Sequence, residues 1–350
     1  MKGSTTIAIE TVGAFLALTG GCPINIKLFL EGEEESGSPS LRAIVAKHRD
    51  KLQADAMLSA DGARASTTIP TLGIGGRGLV GLEFTLRTAA KDGHSGRYGG
   101  AVRNAVVEMA ALVASLHDRQ GRLQVAGYGD DALPVSNAMR MAAAALPFDD
   151  VEFYGSIGGT AWGDPTYTPR ELTTIRPTIE LNGMWGGYTG AGTKTVLPSE
   201  AHAKITMRLA PGMDPSRARA ALRAHLESQV PDGVTLSFAP KDGGTPAPTL
   251  PEDHPLLLAA FQVQQTLHGR PPVVVRSGGT LPISAIFREM LGVGTLAYGL
   301  ATPDEDVHAP NEFFRLSSLD EGLRSWPMLL SALGALDAAA FAPFRQLVAS

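Results

Sequence analysis

Apolar positions in this chain change period twice, and the changes mark its elements. Over residues 4–18 the residues Ile7, Ala8, Val12, Phe15 and Leu16 recur at helical spacing, and Gly20-Gly21 supply the stop, so the pattern predicts a helix. Ile24, Ile26, Leu28 and Leu30 with Phe29 predict a largely buried strand that runs into Glu31-Gly-Glu33-Glu34-Glu35-Ser36-Gly37-Ser38. A helix is predicted over 41–52 and a short strand over 56–60, ending at Asp61-Gly62. From about Arg77 the pattern alternates: Leu82, Phe84 and Leu86 fall on one face of a half-exposed antiparallel strand. Val102, Val106, Met109, Val113 and Leu116 then predict a long amphipathic helix.

Further alternating strands are predicted at 178–181 and 201–208, a helix at 215–229 and a strand at 234–238. The Gly/Pro-rich stretch 241–248 reads as a linker, after which helices near 255–268, 282–291 and 318–337 alternate with strands at 273–275 and 295–297. Between 121 and 177 the pattern gives loops around one helix at 136–145. The fold class expected is α/β. A catalytic-type domain over 1–76 and 244–350 would carry an inserted α+β domain over 77–243.

Composition narrows the function classes. The chain has 350 residues, 44% of them hydrophobic and 19% charged, with a net charge of -5, which gives no electrostatic case for nucleic acid or an anionic membrane as partner. Cys22 is the single cysteine, so no disulfide within the chain is possible. Glu10 and Gly13 interrupt the apolar stretch 7–18, no leader or spanning segment is legible, and a cytoplasmic location is the expectation.

Candidate chemistry sits at strand ends, where ligands of α/β sheets collect. Three adjacent carboxylates, Glu33 to Glu35, repel one another; buried, they need a cation, a proton or basic partners, and solvated, they are an acidic turn before a helix. Asp61 follows the next predicted strand, His94 lies in Asp92-Gly-His-Ser-Gly-Arg-Tyr-Gly-Gly100, and His308 lies in Val307-His-Ala-Pro-Asn-Glu312. Aspartate, glutamate and histidine are ligands suited to zinc or manganese, but no short metal motif links these sites. Gly73-Ile-Gly-Gly-Arg-Gly78 precedes strand-like residues, whereas a phosphate cradle opens a helix.

Taken in order, these segments resemble the di-zinc exopeptidases that include carnosinase, cytosolic non-specific dipeptidase, aminoacylase and glutamate carboxypeptidases. The likeness spans nearly the whole chain, and the Asp92 to Gly100 string is closest to the dipeptidase branch. The resemblance implies a general base at Glu34, metal ligands at Glu35, Asp61 and His308, and two divalent ions, zinc first with manganese or cobalt as alternatives. It further implies that His94 stabilises an oxyanion in the neighbouring subunit's site, so that a homodimer formed through the inserted domain is functional. Arg208 corresponds to an arginine that grips a substrate carboxylate, for which a guanidinium fork is suited. Asn182 and Thr195 fall where related dipeptidases contact substrate, and Ser277 with Gly278 would offer donors to a carboxylate.

In one respect the sequence departs from that family. Its first histidine ligand and two aspartates correspond to positions before Met1, which leaves fewer than the three protein ligands usual for catalytic zinc, and an N-terminally truncated product is expected. Three functions follow as expectations: a metal-dependent dipeptidase acting on small peptides, an amidohydrolase of N-acyl amino acids with the same mechanism, or a non-catalytic dimerisation or binding remnant.

Overall fold

The computed structural model describes residues 2–240, 243–307 and 309–345. In chain order its strands are Met57–Ser59 (β1), Thr71–Gly76 (β2), Gly78–Arg87 (β3), Gly93–His94 (β4), Thr178–Gly186 (β5), Val196–Leu197 (β6), Glu200–Leu209 (β7), Thr235–Phe238 (β8), Val273–Ser277 (β9) and Thr295–Ala297 (β10). The chain divides into two compact units, one of Met1–Gly76, Val135–Phe148 and Pro248–Ser350, the other of Arg77–Pro134 and Asp149–Ala247. Val135–Phe148, which falls inside the stretch read as one insertion, thus groups with the first unit.

The first unit is α/β. Its sheet has the order β1-β10-β2-β9, with β1 parallel to β10, β2 parallel to β9, and β10 antiparallel to β2. Lys2–Thr19, Pro255–His268 and Leu316–Gly334 are its main helices, and their inner faces join the sheet in a core that includes Ile7, Leu72, Ile74, Leu256, Leu296 and Leu329. Proline at the first turn and a left-handed glycine at the end delimit Pro255–His268 and Pro282–Leu291, since proline there sacrifices no helical hydrogen bond. No single helix among the described residues is long and apolar enough to cross a membrane.

Residues 24–30 do not form the strand that their pattern predicts. Phe29 does turn inward, edge-on to Phe287 at 5.4 Å, yet Leu28 is 55% and Leu30 70% exposed. An apolar alternation extends a chain, but only a hydrogen-bonded neighbouring backbone makes it a strand, and among the described residues no strand pairs with this segment. The helix expected over 41–52 is likewise broken into Leu41–Lys47 and Arg49–Leu52.

A buried polar network ties the first unit's helices to its sheet. Arg64, 3% exposed, pairs with Glu321 and donates to Ser318 Oγ at 2.9 Å, while His268 Nε2 lies 3.1 Å from the second Glu321 oxygen. His254, fully buried, caps Pro255–His268 by accepting the Leu256 N–H at Nδ1 (3.2 Å), and its ring lies against Phe341 and Phe344. Burial, helped by the charge of Arg288, pushes the imidazole down to about 4. Because the unfolded ring titrates near 6.5, the unfolded chain binds more protons between these values and stability falls as pH drops from 6.5 towards 4. The expected loss is about 2–3 kcal/mol. Urea titrations of wild type and His254→Asn across pH 4–7 check it; the variant keeps a capping side chain and should lose that slope.

The second unit is α+β. Its sheet, β5-β7-β3-β8, is antiparallel throughout, and Leu82, Phe84 and Leu86 alternate inward along β3 as read from the sequence, joined by Val80. Ala105–Ala114 and Pro215–Gln229 cover that face through Met109, Leu112, Leu222 and Leu226. The first of these helices starts later than its apolar spacing suggests, because the Asn104 side chain accepts from Val106 N–H at 2.9 Å and sets the boundary. Beside the sheet, β4 and β6 form a two-residue antiparallel ribbon.

Candidate active site

Three glutamates follow the unpaired segment, and the turn treats them differently. Glu33 is structural: its carboxylate accepts from Ser40 N–H (3.0 Å) and Ser40 Oγ (3.2 Å), and its carbonyl accepts from Ser36 and Ser38 N–H, both at 3.0 Å. Glu34–Ser36 make one 3-10 turn closed by Gly37 at φ 84°, a conformation open to glycine at little cost. Glu34 is half-buried and Glu35 exposed. One residue the sequence did not single out stands just before them: Glu31 has a buried carboxylate oxygen, Oε1, with no hydrogen-bond partner.

Asp61 follows β1 in a half-buried turn, its Oδ1 accepting from Gly62 N–H at 2.7 Å. That turn is fastened to the segment after β10. Arg64 N–H donates to Ala301 O at 2.9 Å, and a Cβ on Gly299 would stand 1.8 Å from Gly62 O. Gly299→Ala is therefore expected to force the Asp61 turn outward, since the obstacle is backbone and not a flexible side chain. Faster hydrogen exchange at 60–64 with exchange unchanged in the second unit would check it.

Beyond Ala301 the chain enters the loop of His308, which itself lies outside the described residues. Glu305, 1% exposed, holds this loop's base by accepting from Thr302 N–H (3.2 Å) and Arg315 N–H (3.3 Å). Arg315 Nη1 donates to Thr302 Oγ1 at 2.6 Å and to Glu305 Oε1 at 3.1 Å, while Asp304 Oδ2 accepts from Nη2 at 2.7 Å. Ser277 and Gly278 sit at the end of β9, the exposed Ser277 accepting Gly279 N–H on its Oγ at 3.1 Å.

The second unit carries the remaining candidates. His94 ends β4 and is exposed; its Nδ1 accepts Gly96 N–H at 3.1 Å. A neutral ring that accepts at Nδ1 bears its proton on Nε2, and that nitrogen faces Thr195 Oγ1 at 3.3 Å. His94 and Thr195 are thus brought together. Asn182 is exposed at an irregularity of β5, where Leu181 pairs with Ile205 but Gly183 pairs with Lys204, a bulge of the kind that re-aims side chains beside sites. Arg208, half-buried on β7, stands opposite Leu79 and Thr178.

Two neighbours of Arg208 escaped the sequence reading. Arg77 donates to Leu172 O at 3.2 Å, and burial, then the Arg208 charge, lowers its guanidinium to about 10. Tyr128 donates its hydroxyl to Thr178 O (3.0 Å) and Arg208 O (3.1 Å), which clamps β5 to β7 where Arg208 emerges. Neither residue belongs to a legible motif; only the register of β3, β5 and β7 brings them together.

Glu35 and Asp61 offer oxygen donors of the right chemistry for zinc or manganese. Among the described residues, however, no three His, Cys, Asp or Glu side chains converge, so these carboxylates do not by themselves make a metal site.

Against known proteins, residues 74–234 match the peptidase dimerisation domain of the M20 peptidases. The chain is 28% identical over 335 residues to the human Beta-Ala-His dipeptidase, covering 92% of this chain and 65% of that protein. The chain is similar to dipeptidases of this kind. A Cys-Gly metallodipeptidase of Schizosaccharomyces pombe is 24% identical over 330 residues, with 92% of this chain and 69% of that protein covered. Among solved structures, an M20 family metallo-carboxypeptidase from Sulfolobus solfataricus superposes with a TM-score of 0.75 at 26% identity, covering 96% of this chain and 76% of that one. The similarity therefore extends over residues of both units, while the chain spans 65% of the length of that human protein.

Proposed function

We propose that this chain is the scaffold of a metal-dependent dipeptidase, with Glu34 as the general base, His94 as the donor to the scissile carbonyl oxygen in the neighbouring subunit's site and Arg208 as the grip on the substrate's carboxylate. The observation that carries this reading is the placement of His94, an exposed imidazole whose Nδ1 accepts the Gly96 N–H and whose Nε2 lies 3.3 Å from Thr195 Oγ1. A ring oriented in this way can donate from Nε2, as an oxyanion requires. Asn182, Thr195, Ser277 and Gly278 serve substrate orientation, and the Arg77 charge next to Arg208 strengthens the attraction for a carboxylate. Glu34 takes the proton from the attacking water and returns it to the leaving amine.

Glu35, Asp61 and His308 are the proposed holders of divalent ions, zinc foremost, with manganese or cobalt as alternatives. Two described carboxylates fall short of the three ligands usual for catalytic zinc, so no step of the reaction is assigned to a metal. A homodimer is proposed through the second unit, whose edge strand β5 exposes Leu181, Met184 and Trp185. A cytoplasmic setting belongs to the same reading.

The dipeptide is preferred to an N-acyl amino acid because the relatives named above act, by their names, on Beta-Ala-His and Cys-Gly dipeptides. A second reading, a non-catalytic dimerisation or binding module, is favoured by the match of residues 74–234 to a peptidase dimerisation domain. Elemental analysis of the purified chain, with hydrolysis of dipeptides and N-acetylated amino acids measured on the same sample under added zinc, manganese or cobalt, separates the three. Tightly bound metal with dipeptide turnover supports the proposal. Turnover of N-acetylated amino acids alone points to the amidohydrolase, and no metal with no turnover points to the binding module.

A further inference from the structure

His94 sits on the smallest element of the second unit. Its ribbon has only the pairs Gly93 with Leu197 and His94 with Val196, extended by one bond from Ser95 N–H to Thr195 O at 3.1 Å. Two residues per strand cannot hold a side chain in place unaided, because even a full isolated hairpin is marginal in water. Something outside the ribbon must fix the ring.

Val196–Leu197 continues through Pro198 and Ser199 into β7, and the Gly93–His94 strand is tied to this same point by Asp92. Asp92 Oδ1 accepts two hydrogen bonds from Ser199, one from its N–H at 2.9 Å and one from its Oγ–H at 2.8 Å. Ser199 is 7% exposed, immediately precedes β7, and accepts Thr88 N–H on its carbonyl at 2.9 Å just past the end of β3. The chain of contacts therefore runs from the central strands through Ser199 and the Asp92 carboxylate to the backbone of Gly93 and His94. Tyr98 closes the other side, its ring so near Gly93 that a Cβ there would lie 2.9 Å from Tyr98 Cδ2.

We infer that Asp92 is the positioning residue for His94: it joins the ribbon to the start of β7 and so fixes the ring with its Nε2 beside Thr195. This rests on the proposed role of His94 for its catalytic consequence, but not for its structural one. The Ser199 N–H, then its hydroxyl, hold the Asp92 carboxyl below the usual carboxylate range, so the acceptor stays charged at neutral pH. What the joint requires is an acceptor oxygen at that point and not a negative charge, since both Ser199 groups donate.

That requirement sets the test. Asp92→Ala removes the oxygen, Asp92→Asn keeps one, and Ser199→Ala removes one of the two donors. In the intact chain, the 15N shifts of the His94 ring are expected to report a single Nε2–H form in wild type and in Asp92→Asn. In Asp92→Ala the signal should broaden or move to the average of both tautomers, with Ser199→Ala in between. Where the chain hydrolyses dipeptides, Asp92→Ala is expected to lower kcat by ~10- to 100-fold with KM within about twofold, and Asp92→Asn to restore most of it. An unchanged His94 ring in Asp92→Ala, or an Asn variant no better than Ala, overturns the inference. If wild type hydrolyses nothing, the functional proposal fails by itself and the ring shifts still decide this one.

Discussion

On the proposed mechanism, Glu34→Gln is expected to lower kcat for dipeptide hydrolysis by ~100- to 10,000-fold while leaving the fold intact. The amide keeps the size of the side chain but cannot take a proton from water, so a loss in kcat with little change in KM is the signature of a missing base. The turn itself should survive. Its Glu33 carboxylate holds Ser40 through both oxygens, and Glu34→Gln leaves that interaction in place. The comparison is therefore with Glu33→Gln, which is expected to loosen the 33–40 turn and lower activity through displacement. Steady-state rates together with urea midpoints separate the two. Equal rates for wild type and Glu34→Gln would remove Glu34 from the mechanism.

Breaking the buried pair in the first unit is expected to cost the most stability. Arg64→Met leaves Glu321 as a carboxylate in a nearly closed site, with only His268 opposite, and removal of one partner from such a pair costs about 3–5 kcal/mol. The double variant Arg64→Met with Glu321→Leu should recover a large part of that loss, because it removes the orphaned charge along with its partner. Urea unfolding of the two single variants and the double variant closes the cycle. Additive losses would mean that the two side chains do not depend on each other.

The helices were largely legible because their ends are written in local chemistry. Pro215, Pro255 and Pro282 open helices where a missing N–H is harmless, and Gly269 and Gly292 close two of them in left-handed conformations. Strand β3 was legible for a different reason: one face is buried and the other is not, so its alternation carries the register. Residues 24–30 show where such reading stops, since apolar alternation says which side chains seek a core but not whether a second backbone is within reach. Strand β2 escaped because Gly73, Gly75 and Gly76 erase its side-chain pattern; their absence of a Cβ is what lets neighbouring backbone approach.

At the site, individual positions could be named from short strings, but partnership could not. The meeting of His94 with Thr195 depends on a ribbon joining residues about a hundred positions apart, and the hook at Asp92 depends on Ser199 being anchored by Thr88. Three adjacent glutamates look alike in sequence, and only the position of Ser40 tells the structural one from the other two.

Asn182 adds one residue of slack to β5, and this lets a single strand follow two incompatible alternations. Before it, Ile179 is paired with Met207 and points into the core; after it, Trp185 is paired with His202 and stacks on that ring at the outer surface. Were the extra residue deleted, Leu181 opposite Ile205 would be followed directly by Gly183 opposite Lys204, so Trp185 would stay opposite His202 and only the bulge would go. The change that would misplace Trp185 is an added residue between Gly183 and Trp185, which would bring it opposite Ala201, 1% exposed, on the buried face. In this half of β5 a one-codon insertion would act as a change of fold register, whereas the loss of Asn182 would only straighten the strand.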